Sequence, residues 1–486
     1  MIRGLKKTGL RFAIFLICIL GFGSMECAAQ AGSEIAVGDS TASDLLAIDK
    51  IFVIGNRKTK ESIILREMKL KPGDVMEKSM LYEELERDRK KILNTSLFLA
   101  VHTNVIDLGG NKVDIIVRVT ERWYFFPAPV FQLADRNFND WWVNRNHDID
   151  RVNFGLKFFI YNMRGRNETL KLIAQAGFTR GFQVQYSFPY IDARQKIGLT
   201  LTAERFANNN LNYITVAEKQ QDLSFLESDK WLLKEAHYGM KFTYRRSFYN
   251  FHDFYIDYHR DQIRDTVAYF NPNYLLDGRL RQRYLHLKYV FTRDLRDVAA
   301  YPLKGFLLRA EASKSGFGIF DDLDMFSLGF SYAHYFDLSG GYYFSTEAGA
   351  KATWPKRRPY HNLSALGFQP YDIRGYELYV VEGRHLFYNR NTLKKRIFEM
   401  NMTNRMIPLR QFRQLPLALY LKTFVDYGYA ANDWIIPEGD RLSNAHLFGA
   451  GLGLDIVTYY DLSLQFDYSI NRLGEKRFAL GMRRLF

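Results

Sequence analysis

The chain has 486 residues, a formal net charge of +14 and an aromatic content of 16%, with 39 Phe and 31 Tyr. After residue 29 no apolar run reaches eighteen residues, which excludes a protein that crosses a membrane with helices. So many aromatic residues are typical of a membrane β-barrel, whose strands carry aromatic girdles at both membrane interfaces.

Residues 1–29 have the pattern of a signal peptide. A basic front is followed by the apolar run Phe12–Phe22 and by small residues, with cleavage expected after Ala29. Lipid attachment at Cys27 is the alternative. Both cysteines of the chain, Cys18 and Cys27, lie in this segment, so disulfides and thiolate chemistry are excluded from the mature protein. Because the chain is exported, its positive charge is better explained by a basic barrel lumen or by loops that face anionic lipid than by nucleic acid, and no nucleic-acid partner is expected.

Residues 30–47 are small and polar and are interpreted as a linker. Residues 48–121 follow the order strand, helix, helix, strand, strand, which predicts a small α+β domain. The first strand stops at Gly55 and Asn56, and Gly73 lies in the turn between the two helices.

Further motifs of this region are LNTSLFLAV at 93–101 and a last strand that ends in VTE at 119–121. Together with the turns at Gly55 and Gly73, they resemble a POTRA domain. The resemblance implies capture of unfolded chains by addition of a strand to an exposed sheet edge. A generic two-layer domain is the alternative.

Residues 122–486 consist of short segments in which apolar and polar residues alternate, as in ETLKLIAQAGF at 168–178 and DLSLQFDYSI at 461–470. This is the pattern of membrane strands around a wet interior. Only a closed barrel satisfies every backbone group of such strands in lipid. The predicted fold class is a transmembrane antiparallel β-barrel preceded by the α+β domain, with a soluble sandwich or propeller as the alternative.

Three motifs occur in order: TRDLRDVAAYPLKG at 292–305, LGFQPYDIRGY at 366–376 and TFVDYGYA at 423–430. They resemble motifs of the BamA/TamA superfamily of outer-membrane assembly and translocation barrels, and the likeness runs from Ile48 to the last residue. The resemblance implies sixteen strands, a bacterial outer-membrane location and a periplasmic POTRA-like domain. It also implies a loop that folds back into the lumen, whose tip here would be Ile373, Arg374, Gly375 and Tyr376.

Alternation along LYLKTFVDYGY at 419–429 directs Lys422, Asp426 and Gly428 towards the lumen. A guanidinium binds a carboxylate through two hydrogen bonds and stacks on aromatic rings. We therefore predict that Asp426 holds Arg374, with Gly375 bending the tip and Gly428 leaving room on the wall. The alternative is that Arg374 caps an exposed turn while Asp426 pairs with another lumen base.

The final segment, KRFALGMRRLF, places Phe478 and Phe486 on one face and ends in phenylalanine. The family resemblance implies that this strand pairs weakly with the first barrel strand, within APVFQLADR at 128–136, so that a client strand docks at the open seam. Gly481 either weakens the strand at this seam or only makes room for the packing of neighbouring side chains.

The sequence contains no metalloprotease, hydrolase, phosphate-binding or dinucleotide-binding motif, and neither enzymatic activity nor a cofactor is expected. His237, His252 and His259 are expected at the membrane interfaces, with a role as metal ligands as the alternative. The basic runs at 356–358 and 394–396 are expected to be solvated or to contact lipid.

The family resemblance implies an outer-membrane protein assembly factor that assists insertion and folding of β-barrel proteins through a lateral seam. Its expected partners are unfolded outer-membrane or exported polypeptides, membrane lipid and accessory lipoproteins. The alternatives are a translocation or secretion pore for a dedicated polypeptide, a passive structural channel and, last, a membrane enzyme. The family's principal assembly factor carries several POTRA domains, whereas this sequence shows one such pattern.

Overall fold

The computed structural model describes residues 45–133, 135, 137–224, 231–320, 323–403, 414–434, 439–458 and 462–483. The predicted signal peptide, most of the predicted linker and Phe486 lie outside these residues. No helix in the described part of the chain is long and apolar enough to cross a membrane.

The first described domain is a four-stranded sheet covered by two helices. Its elements are β1 (Leu45–Ile54), α1 (Glu61–Leu65), β2 (Val75–Glu77), α2 (Lys78–Asn94), β3 (Phe98–Gly109) and β4 (Lys112–Glu121). The sheet order is β2-β1-β4-β3, with β1 parallel to β4 and the other pairs antiparallel. This is the predicted element order with one short strand added.

The core of this domain forms where α2 covers the sheet. Leu81, Leu85 and Ile92 recur at helical spacing and are almost fully buried. Asp88, on the same face, is also buried, and its carboxylate accepts the backbone N–H groups of Lys69 and Leu70 at 2.9–3.1 Å. These bonds hold the chain in a turn after α1.

The second domain is a sheet of sixteen strands, each antiparallel to the next along the chain. The strands are β5 (Phe125–Leu133), β6 (Val152–Met163), β7 (Glu168–Gly177), β8 (Thr179–Phe188), β9 (Ile197–Asn208), β12 (Leu233–Arg245), β13 (Asn250–Ile263), β14 (Arg281–Asp294), β15 (Gly305–Ser315), β16 (Met325–Asp337), β17 (Tyr342–Trp354), β20 (His385–Thr403), β21 (Gln414–Ala431), β22 (His446–Thr458), β23 (Leu462–Asn471) and β24 (Lys476–Arg483). The loops contain β10 (Asn210–Val216), β11 (Lys219–Ser224), α3 (Asp265–Phe270), β18 (Ala365–Leu366) and β19 (Val381–Glu382).

The strands keep the alternation that the sequence predicted. On β21, Leu421 and Val425 are more than half exposed on the outer face, whereas Lys422 and Asp426 are buried on the inner face. The predicted fold class, a sixteen-stranded antiparallel β-barrel preceded by a small α+β domain, is confirmed.

The α+β domain is docked on one end of the barrel. Arg245, at the end of β12, forms two 2.6 Å hydrogen bonds to the Glu67 carboxylate. The β6–β7 turn contacts the same domain, because the Asn162 amide donates to Thr59 Oγ1 at 2.8 Å. Thr59 also contacts the Tyr124 hydroxyl at 3.0 Å, and burial raises the pKa of Tyr124, which keeps this hydroxyl neutral.

We expect Arg245→Ala to loosen this docking. The substitution leaves the Glu67 carboxylate, 9% exposed, without its bidentate partner. Cleavage of the folded protein by chymotrypsin near Trp123 should accelerate about tenfold, which corresponds to a loss of about 1.4 kcal/mol. Arg246→Ala removes an exposed neighbouring arginine and is the matched control. Equal cleavage rates in the two variants would contradict the docking role.

Candidate functional site: the lumen loop and the lateral seam

The loop between β17 and β20, residues 355–384, folds back on itself. The short β18–β19 pair closes its narrow part, and the predicted tip lies between these two strands. Ile373 and Tyr376 are buried in one cluster with Tyr388 and Leu447 of the barrel wall. The tip therefore packs inside the barrel.

Arg374 is held by Asp426 through three hydrogen bonds. Nε lies 2.7 Å from Oδ2, Nη2 lies 2.5 Å from Oδ1, and the backbone N–H donates to Oδ2 at 3.1 Å. Nη2 also donates to Thr392 Oγ1 at 3.0 Å, and the guanidinium carbon is 3.9 Å from the centroid of the Phe424 ring. The bidentate pair satisfies the Asp426 carboxylate, which is fully buried.

The next two residues fasten the tip to the neighbouring strands. Gly375 has a φ of +92°, a conformation that other residues rarely adopt, and its carbonyl accepts a 2.9 Å hydrogen bond from the Asn471 amide. The Tyr376 hydroxyl donates to the Phe448 carbonyl at 3.2 Å and accepts the backbone N–H of Arg472 at 3.3 Å.

The wall beneath the tip is built of small residues. A Cβ at Gly428 would lie 2.8 Å from Ile373 Cγ1, and one at Gly449 would lie 1.9 Å from the Arg374 carbonyl oxygen. Gly449 was not among the predicted site residues. The sequence feature that could have identified it is GAGLGLD at 449–455, in which every second residue from 449 to 453 is glycine, so that the glycines share one face of the strand.

A second charge network lies on the lumen wall. Lys422 Nζ is 2.6 Å from Asp455 Oδ1 and 2.7 Å from Asp467 Oδ1, and all three side chains are nearly buried. The Tyr301 hydroxyl, from the β14–β15 turn, donates to Asp455 Oδ2 at 2.7 Å. This network and Arg374 line one cavity of about 220 Å³. The three family-like motifs of the sequence thus meet in the lumen.

The histidines and basic runs differ from expectation. His252 lies on the outer face near the docked end, but His237 and His259 face the lumen, where His237 Nδ1 is 3.0 Å from Glu204 Oε1. The interfacial interpretation is therefore wrong for those two. The prediction that the two basic runs are solvated or contact lipid is also wrong for two of their residues. Arg358 is 2% exposed, and Lys394 Nζ lies 4.0 Å from the centroid of the Tyr301 ring. These groups are buried by the register of the strands and by the folding of the loop, and neither can be predicted from a run of basic residues.

The sixteen-stranded sheet ends at β5 on one side and β24 on the other. Between the described residues of these two strands, no ladder of hydrogen bonds is present. A side-chain bond connects the segment after β5 to the last strand: the Asn139 amide donates to the Phe478 carbonyl of β24. Asn137, two residues earlier, donates to the Glu377 carbonyl of the lumen loop at 2.7 Å. The segment after β5 therefore contacts both the last strand and the loop.

Two prolines remove hydrogen-bond donors from the free edge of β5. The Tyr161 N–H donates to the Tyr124 carbonyl at 2.7 Å, and this register directs even-numbered residues of β5 towards β6. Odd-numbered residues therefore direct their backbone groups towards the seam. Pro127 and Pro129 are among them, and neither has an N–H. Sequence reasoning missed these prolines, although they stand in FFPAPVFQL at 125–133.

We expect the double substitution Pro127→Ala/Pro129→Ala to strengthen the seam. Two restored donors, each worth about 1 kcal/mol when paired, should slow amide hydrogen exchange of residues 476–483 by about tenfold or more. Pro416→Ala, in β21 away from the seam, is the control and should leave that exchange unchanged. Unchanged exchange in the double variant would mean that the prolines do not limit pairing.

The remaining predicted residues have these positions. Phe478 is 60% exposed on the outer face of β24. A Cβ at Gly481 would meet Gln465 at ordinary contact distances of 3.4–3.5 Å, so no close approach requires this glycine.

In the α+β domain, Gly55 and Gly73 have φ values of +93° and +92°, and the Asn56 amide donates to the Thr59 carbonyl at 3.1 Å.

A family profile described as the Omp85 superfamily domain matches residues 162–482, about two thirds of the chain. The chain belongs to the Omp85 superfamily. A second profile, described as POTRA, surface antigen variable number repeat, matches residues 46–122. The predicted relationship to the BamA/TamA barrels is confirmed.

Individual relatives agree with this assignment. A 76-residue stretch, 15% of the chain, is 32% identical to the outer membrane protein assembly factor BamA of Nitratidesulfovibrio vulgaris strain Hildenborough, and the match spans 9% of that protein's length. The crystal structure of BamA from Haemophilus ducreyi lacking POTRA domains 1–3 has a TM-score of 0.50 at 15% identity, covering 90% of this chain and 84% of that one. CdiB from Escherichia coli has a TM-score of 0.54 at 12% identity, covering 90% and 75%. These two structures show the shared fold.

Membership of the Omp85 superfamily orients the molecule. The barrel lies in the bacterial outer membrane and the POTRA domain in the periplasm. The β6–β7 turn contacts the POTRA domain, and successive antiparallel strands connect at alternate ends. The lumen loop therefore enters the barrel from the outer end, opposite the POTRA domain.

Proposed function

We propose that this Omp85 protein assists the insertion and folding of other outer-membrane β-barrel proteins at the seam between β5 and β24. The observation that carries the proposal is that the described residues of β5 and β24 form the two ends of the sheet and share no ladder of backbone hydrogen bonds. Backbone N–H and C=O groups that lack partners in lipid cost several kcal/mol each. An unfolded strand that carries its own unpaired groups gains free energy by docking there.

The two edges differ in the number of donors that they offer. The Asn471 N–H donates to the Glu475 carbonyl, and this bond fixes which residues of β24 bind β23 through their backbone groups. The backbone groups of the alternate residues, Lys476, Phe478, Leu480 and Met482, are therefore directed towards the seam. None of these four residues is proline, whereas β5 loses two donors. The docking strand would therefore pair more completely with β24.

The lumen loop favours entry at the seam over passage through the lumen. The Arg374–Asp426 pair and the packing of Tyr376 hold the loop inside. The cavity beside it, about 220 Å³, is smaller than most small-molecule pockets. A secreted polypeptide would have to displace this loop, whereas a strand that docks at the seam would not.

The POTRA domain supplies a second edge on the periplasmic side. β3 pairs with β4 and forms the outer edge of its sheet, which is the geometry for strand addition by an extended peptide. The proposed partners are unfolded outer-membrane or exported polypeptides. Membrane lipid and accessory lipoproteins are further proposed partners.

The test is to deplete the protein and quantify the outer-membrane and secreted proteomes together. Loss of many unrelated barrels would support a general assembly factor. Loss of one secreted or surface protein, with other barrels intact, would overturn it in favour of a dedicated secretion pore. Depleted cells that express Pro127→Ala/Pro129→Ala should recover fewer barrels than cells that express Pro416→Ala, if the seam is the working surface.

A further inference from the structure

A polar cluster lies on the lumen wall towards the outer end of the barrel. Glu235 on β12 and Asp261 on β13 are directly opposite in the antiparallel register. His361, in the lumen loop, lies against both, with Nε2 3.7 Å from Glu235 Oε1 and 3.6 Å from Asp261 Oδ2. Like charges directly opposite on paired strands are destabilising, so a positive charge between the two carboxylates would stabilise this arrangement.

The distances between the three groups match a shared metal ion better than hydrogen bonds. Separations of 3.6–3.7 Å exceed the usual N–H···O range. Two ligands of a tetrahedral zinc ion, each about 2.1 Å from the metal, lie about 3.4 Å apart. The three candidate ligand atoms, one from each residue, all lie within 4.8 Å of one another.

The Asp261 carboxylate provides an independent indication. The residue is 4% exposed, and its Oδ2 has no hydrogen-bond partner among the described residues. In that part of the chain neither Asp261 nor Glu235 is paired with an arginine or lysine. A buried carboxylate without a partner is costly, and this oxygen is directed at His361.

His361 is also oriented as a metal ligand. Its backbone N–H donates to the Tyr274 carbonyl at 3.1 Å, and its Nδ1 lies 3.4 Å from the Tyr274 hydroxyl. A contact of this kind at one ring nitrogen leaves the other available to a metal. A cavity of about 350 Å³, lined by Glu235 and His361 among others, leaves room for a water ligand and a path of entry.

We propose that Glu235, Asp261 and His361 bind one divalent transition-metal ion, with Zn²⁺ as the best match. One imidazole and two carboxylates suit zinc, whereas Ca²⁺ and Mg²⁺ prefer sets made of oxygen alone. The ion would fasten the loop that carries Arg374 to β12 and β13. This site is separate from the seam and does not depend on the proposed function.

The experiment uses the full chain, purified in detergent without a histidine tag and treated with chelator. Zn²⁺ binding is measured by equilibrium dialysis, and Co²⁺ is used as a spectroscopic probe. We expect one tight site per chain and the visible absorption of tetrahedral Co²⁺. His361→Gln and Asp261→Asn should weaken Zn²⁺ binding at least 100-fold. A difference in gel migration between unheated and heated samples, equal to that of the unmodified protein, checks that each variant is folded.

His259→Gln is the control, because His237, Asp257 and His259 form a neighbouring group of potential ligands. It should leave binding unchanged, since His237 is already held by Glu204 and lies 3.2 Å from Asp257. Absence of a tight site, or a site that is lost in His259→Gln and kept in His361→Gln, would overturn the proposal. The first result would mean that a protonated His361 supplies the positive charge, and the second would place the metal at the neighbouring group.

Discussion

Arg374→Ala is expected to lower the free energy of unfolding by about 3–5 kcal/mol, the usual effect of removing one member of a buried ion pair. The reason is that Asp426, fully buried on β21, would lose the guanidinium that satisfies both of its oxygens. Asp426→Ala should have a similar effect. Guanidinium chloride unfolding in detergent, followed by tryptophan fluorescence, measures both.

The double variant decides whether the two residues act as a pair. If they do, Arg374→Ala/Asp426→Ala should be little less stable than either single variant, because no uncompensated charge remains. Arg384→Ala is the control: Arg384 pairs with Asp433 in a more exposed position, and its loss should cost about 1 kcal/mol or less. Additive losses in the double variant would show that Arg374 and Asp426 stabilise the protein separately.

The pairing of Arg374 with Asp426 could be predicted because two simple rules coincide. Alternation along β21 directs Asp426 inwards whatever its neighbours are. A glycine after an arginine marks a tight tip that can enter a lumen. The motif resemblance supplied the remaining step, that the loop folds inwards. None of these inferences needed the register between strands.

The rest of the site depends on register and on contacts distant in sequence. Gly449 supports the tip only because β22 pairs with β21 so that Gly449 is opposite Asp426. Asn139 and Phe478 are 339 residues apart. Pro127 is visible in the sequence, but its missing N–H concerns the seam only once the β5–β6 register is known. The alternation of apolar and polar residues predicts which face of the sheet a side chain occupies, whereas the register between strands determines which residues are its neighbours on that face.

The second large effect is expected for Lys422→Met. Lys422 is the shared cation of Asp455 and Asp467, and its side chain is 2% exposed. Removing it takes the nearest cation from both buried carboxylates and leaves Lys394 Nζ 3.8 Å from Asp455 Oδ2, so the loss should be about the 3–5 kcal/mol expected for one broken buried pair. The same unfolding measurement tests this. Lys395→Met, whose ammonium donates to the Gly340 carbonyl in an exposed turn, should change stability by about 0.5 kcal/mol or less.

A rescue variant separates the charge of Lys422 from its packing. Adding Asp455→Asn and Asp467→Asn to Lys422→Met removes the charges of both carboxylates while preserving side-chain volume. If charge is the cause, the triple variant should regain most of the lost stability, since neutral amides are far cheaper to bury than carboxylates. Tyr301 can still donate to the residue at 455 in that variant. A triple variant as unstable as Lys422→Met would instead assign the loss to the aliphatic chain of Lys422, which packs closely against Gly453.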